Sequence, residues 1–137
     1  YDDLDTERYV KKHDIEFNFN SHFPINTLNL MRGAVYAKEN GFFEDYVKVI
    51  FKSMWVDNKK MDELDVIKTV LEENKLPAQR ILEGTQDQNI KSKLIENTAK
   101  AVGDGLFGVP SFLIDNELFF GKETLQDVED LIRDKVD

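Results

Sequence analysis

Apolar residues recur every three to four positions between Asn26 and Val102 and alternate with polar ones near the two ends of the chain. Leu28, Leu30, Met31, Ala34, Val35 and Ala37 make the broad apolar face of a helix. Asn26 or Thr27 caps it, and Gly41 after Asn40 ends it. A second helix carries Phe42, Phe43, Tyr46, Val47, Ile50, Phe51, Met54 and Trp55, with Val56-Asp57-Asn58 as the turn behind it. Asp62 caps a third, bearing Leu64, Val66, Ile67, Val70 and Leu71. Pro77 opens a short fourth around Ile81-Leu82, which Gly84 closes. Asp87 to Val102 is the fifth, with Ile90, Leu94, Ile95, Ala99 and Val102 on one side.

The flanks read differently. Asp2 to His13 runs from acidic to basic, as the helix macrodipole favours. Ile15-Glu16-Phe17-Asn18-Phe19 alternates with period two and predicts a half-buried strand, followed by a loop from Ser21 to Pro24. Ser111–Ile114, the pair Asp115-Asn116 and Glu117–Phe120 predict a tight hairpin. Lys122 to Val136 closes as a helix with Leu125, Val128, Leu131 and Ile132 inward. The order is strand, five helices, hairpin and terminal helix, an α/β or α+β chain with a thin three-stranded sheet. A sheet with one parallel pair and a hairpin usually has a further strand ahead of the first. The chain opens on Tyr1, so an N-terminal βα unit outside it is expected.

Composition narrows the function. The 137 residues carry a net charge of −9, which opposes binding to phosphate backbones and to anionic membrane surfaces. No apolar run approaches the ~20 residues of a membrane span. With no cysteine, disulfides, thiolate metal sites and dithiol chemistry are excluded for these residues. His13 and His22 are far apart, so no metal site is expected. The lack of cysteine fits a cytoplasmic protein.

The densest chemical signal is Gly105-Leu106-Phe107-Gly108-Val109-Pro110-Ser111-Phe112-Leu113-Ile114. A proline at the first residue of a strand leaves the preceding backbone extended and exposed. That is the layout of the cis-proline loop of thioredoxin-type folds; an ordinary turn with a trans proline is the alternative.

Several stretches together resemble the 2-hydroxychromene-2-carboxylate isomerases and the kappa-class glutathione transferases, on the DsbA-like branch of the thioredoxin superfamily. They are Phe23-Pro24-Ile25-Asn26-Thr27-Leu28 with Met31-Arg32, then Phe51 and Trp55, then the Gly105–Phe112 loop, then Phe119-Phe120-Gly121-Lys122-Glu123. The resemblance implies a partial thioredoxin-like domain over residues 1–25 and 105–137, interrupted by an all-helical insertion over 26–104. It implies glutathione as cofactor. Val109, ahead of a cis Pro110, would bind the cysteinyl backbone of glutathione, and Lys122 with Glu123 the γ-glutamyl end. Lys122 stands where the family has a small polar residue, and Glu123 where it has Asp. The substrate pocket would draw on Asn26, Arg32 and Trp55. Asn26 also reads as a plain helix cap, Arg32 as a solvated surface residue, Trp55 as core, and Glu123 as a simple helix-start carboxylate. The family's nucleophile-activating residue, usually Ser, lies on a first strand–helix unit, so the resemblance places the catalytic residue outside this chain.

The function implied is a glutathione-dependent isomerase or transferase acting on a small aromatic carboxylate, in which the thiolate of glutathione adds to the substrate and later leaves it. A DsbA-like dithiol oxidoreductase shares the loop and the insertion but needs Cys-x-x-Cys on that first helix. A third reading is a non-catalytic interaction domain whose sheet edge favours a partner strand or a homodimer.

Overall fold

The first helix, α1 (Asp2–Lys12), leads into an extended segment that reaches α2 (Leu28–Glu39). Then follow α3 (Phe43–Trp55), α4 (Leu64–Glu73), α5 (Ala78–Gln86) and α6 (Gln88–Gly103). The hairpin strands β1 (Ser111–Ile114) and β2 (Glu117–Phe120) and the last helix, α7 (Leu125–Val136), complete the chain. The structure is a computed structural model describing residues 2–136; Tyr1 and Asp137 lie outside them. Contacts gather the residues up to Leu94 into one unit and those from Ile95 into a second.

In the first unit α2 packs on α3 and α5, and α4 packs on α5. Met61, Leu71 and Ile81 are its most deeply buried large side chains. Each stabilises the fold by about 1.5–3 kcal/mol through apolar area removed from water. The five helices expected between Asn26 and Val102 all form; the apolar faces of α2 to α5 meet one another, whereas α6 buries Ile90 and leaves Ile95 and Val102 exposed. Asp87 caps α6, its Oδ1 accepting from the Asn89 and Ile90 amides at 2.8 and 3.2 Å.

Three local expectations fail in the first unit. Asp62 does not cap α4: the cap position is Glu63, with no side-chain cap bond, and Asp62 faces Lys60 at 3.2 Å. Gly84 does not close α5, which continues to Gln86. It is buried inside the helix because Tyr36 of α2 lies on it; a Cβ there would come within 2.4 Å of Tyr36 Cδ2. Ile15–Phe19 is no strand, and the described residues hold one sheet of two strands. A strand needs a ladder. Here the Asn18 amide donates instead to the Trp55 carbonyl at the end of α3, at 2.7 Å, while Ile15 and Phe19 stay exposed.

In the second unit β1 and β2 pair antiparallel, Ser111 opposite Phe120 and Ile114 opposite Glu117. Asp115 and Asn116 take φ of 47° and 70°, the left-handed pair that a two-residue hairpin of matching twist requires. Lys135 of α7 pairs with the Asp115 carboxylate. A 3-10 turn (Lys122–Thr124) runs into α7, which buries Val128 but leaves Leu125 and Ile132, both expected inward, about half exposed.

Candidate functional site

In the first unit an apolar cleft opens between α2 and α3. Thr27, Leu30 and Met31 line it from α2 and its start, and Ile50, Phe51, Met54 and Trp55 line it from α3. Helical spacing accounts for both sets, since residues three and four apart share a face. Phe23 and Ile25 complete the wall around a volume of about 240 Å³. Phe23 and Phe51 are more than 60% exposed at 63% and 62%, so the mouth is apolar as well. Trp55 stacks on Phe17 at 5.7 Å with planes 15° apart and meets Phe23 at 5.9 Å.

No lining side chain titrates near neutral pH. The cleft can therefore hold a flat apolar body and exclude water from it, but it supplies no general acid or base. Of the pocket residues suggested by sequence, Trp55 lines it. Asn26 is exposed, and its Oδ1 accepts from the Leu28 amide at 3.0 Å at the start of α2. Arg32 follows Met31 but is outside the lining; its Nε is buried and has no hydrogen-bond partner.

The second unit carries the other candidate residues. The Val109–Pro110 peptide is cis, as is Phe23–Pro24 in the first unit. Val109 is 89% exposed. The Gly121 amide donates to the Pro110 carbonyl at 2.9 Å, fastening this loop to the end of β2. Gly121 has φ 95°, and a Cβ there would lie 2.8 Å from Glu123 Oε2, so the Glu123 carboxylate folds back over it. Pro110, Gly121 and Glu123 thus meet in one corner, with Val109 and Lys122 next to them in the chain. Both Lys122 and Glu123 are exposed.

Sequence reasoning missed Phe17 and Phe23 as partners of Trp55. The period-two alternation places Phe17 only on the apolar side of a strand, and Phe23 belongs to a loop; neither pattern points to Trp55. The alternation in Ile15–Phe19 was a real signal of an apolar contact, but not of the contact's identity. Among the described residues no group of three or more His, Asp or Glu is placed to hold a metal ion. No helix among them is long and apolar enough to cross a membrane.

The chain is similar to 2-hydroxychromene-2-carboxylate isomerase of Sphingobium xenophagum, 23% identical over 133 residues, which cover 95% of this chain and 66% of that one. A solved structure of a 2-hydroxychromene-2-carboxylate isomerase superposes with a TM-score of 0.84 at 19% identity, over 98% of this chain and 65% of its own. The chain spans about two thirds of the length of the relatives it matches. The profile of the DSBA-like thioredoxin domain matches residues 4–133. With this helix-rich fold and its small two-stranded sheet, the chain belongs to the DSBA-like thioredoxin domain family.

Proposed function

We propose that the protein is a glutathione-dependent isomerase of the 2-hydroxychromene-2-carboxylate type, with a small aromatic carboxylate as substrate. The observation that carries the reading is the aromatic-walled cleft with no titratable lining residue. Such a cleft suits an enzyme whose reactive group arrives on a bound cofactor rather than on a side chain. The relatives, both named as 2-hydroxychromene-2-carboxylate isomerases, support the isomerase part of this reading.

The corner at Pro110 and Gly121 fits glutathione in kind. Val109 offers an exposed main-chain edge, Glu123 a carboxylate for an ammonium, and the turn at Lys122 a helix start whose first amides favour a carboxylate. When bound, glutathione supplies the thiol nucleophile. The chain's own residues bind and orient. Thr27 and Trp55 bring the lining's hydroxyl and indole donors, while the apolar walls exclude water from the aromatic body. Arg32, one position beyond Met31, is the proposed partner of the substrate carboxylate through its guanidinium.

Calorimetric titration of the protein with reduced glutathione tests the cofactor. Binding at millimolar concentration is expected, weakened about tenfold by Glu123→Gln through loss of a charge-assisted hydrogen bond. An absence of binding at that concentration would overturn the glutathione reading.

A further inference from the structure

The end of α3 is closed from a distance. The last four carbonyls of a helix lack intrahelical donors and must find others. Here the Lys52 carbonyl accepts from the Val56 and Asp57 amides, and the Ser53 carbonyl from Lys59. The next three belong to one short segment more than thirty positions upstream: Asn20 Nδ2 donates to the Met54 carbonyl at 2.9 Å, the Asn18 amide to Trp55 at 2.7 Å, and Asn18 Nδ2 to Val56 at 2.8 Å. Asn20 is 4% exposed and leaves nothing unmet. Its Nδ2 also donates to the Lys59 carbonyl at 2.7 Å, and its Oδ1 accepts from the His22 amide at 2.8 Å.

The two ends of this clamp carry two residues that line the cleft, Phe23 and Trp55, together with Phe17, which stacks on Trp55 from outside the lining. Phe17 and Phe23 flank the asparagines in sequence, while Met54 and Trp55 are residues whose carbonyls are held. We infer that Asn18 and Asn20 are positioning residues: they set the Phe17–Trp55–Phe23 stack, and so the shape of the cleft, without touching its ligand. This rests on the cleft being the substrate site. Physically, a helix end frays when its carbonyls are left to water, and Trp55 is the last residue of α3. A short hydrophobic loop without directed bonds would leave the indole several orientations.

Trp55 is the only tryptophan, so its emission reports this wall alone. The first measurement is acrylamide quenching of Trp55 in the ligand-free protein. The second is the affinity for 1-naphthoate, a flat aromatic carboxylate, read by Trp55 quenching. Asn20→Leu keeps the volume and removes the bonds. It should about double the acrylamide quenching constant by loosening the helix end. It should also weaken naphthoate about tenfold, the equivalent of one well-made buried hydrogen bond. Asn18 is exposed, so Asn18→Ala folds in any case and should raise quenching in the same direction. Ile81→Val, a core change in α5, should lower thermal stability and leave both readouts unchanged. If the asparagine variants quench and bind like the unmodified protein, or if Ile81→Val shifts the readouts as much, the inference is overturned. If the unmodified protein binds no naphthoate while the quenching changes as expected, the positioning stands and the assignment of the cleft as substrate site falls.

Discussion

Replacing Gly33 by alanine sets two opposing effects against each other at the contact between α2 and α3. A Cβ at Gly33 would lie 2.3 Å from the Tyr46 hydroxyl oxygen and 2.9 Å from Cζ. Tyr46 is 2% exposed, and its hydroxyl donates to the Leu30 carbonyl at 2.7 Å. In an open helix, glycine to alanine stabilises by about 1 kcal/mol. Here the added methyl forces the ring aside, an overpacking cost of about 1–3 kcal/mol. The same shift breaks a buried hydrogen bond, for about 1–3 kcal/mol more. Strain and the lost bond win, and Gly33→Ala should destabilise by about 1–5 kcal/mol net. Tyr46→Phe removes the nearer clashing atom, so the double variant should fall short of the summed losses by about 1–2 kcal/mol. Urea unfolding of the four proteins, followed by circular dichroism, measures this cycle. A Gly33→Ala protein at least as stable as its parent, or losses that add within about 0.5 kcal/mol, would refute the reasoning.

Burial pushes the Tyr46 phenol well above its ordinary value of 10.0. The unfolded chain therefore gives up this proton first as pH rises, so the stability it contributes is full below that value and drains away above it. Urea midpoints compared between about pH 8 and pH 11 should fall, and should fall less in Tyr46→Phe; equal slopes would contradict this. Gly84→Ala should lower the thermal midpoint by about 3–8 °C, because the methyl meets the Tyr36 ring before any gain in helix propensity is realised. A raised midpoint would mean that Tyr36 yields freely.

Much of the fold was legible because it rests on local rules. The apolar spacing along Leu28–Ala37 and Phe43–Trp55 carries its own helical period, and those helices formed within a residue or two of expectation. The Asp115-Asn116 turn needed only two residues tolerant of positive φ between two short apolar runs. The loop at Val109-Pro110 and the Gly121-Lys122-Glu123 step stood out for the same reason: their chemistry is contiguous in the chain.

Tertiary structure decided the rest, wherever a residue answers to a neighbour remote in sequence. Gly84 looked like a stop signal, yet its lack of a side chain serves the Tyr36 ring, whose approach no local pattern encodes. Asn18 falls on the polar face of the alternating segment, and Asn20 carries no local signal; together they close a helix end more than thirty positions away. Ile15–Phe19 alternates as a strand does, but alternation specifies only which side chains share a face. Whether that segment meets a ladder or the end of α3 depends on which hydrogen-bonding groups folding brings beside it. The sequence thus determined the helices, the hairpin and the loop chemistry, and packing alone decided that Phe17, Phe23 and Trp55 would stand together beside one cleft.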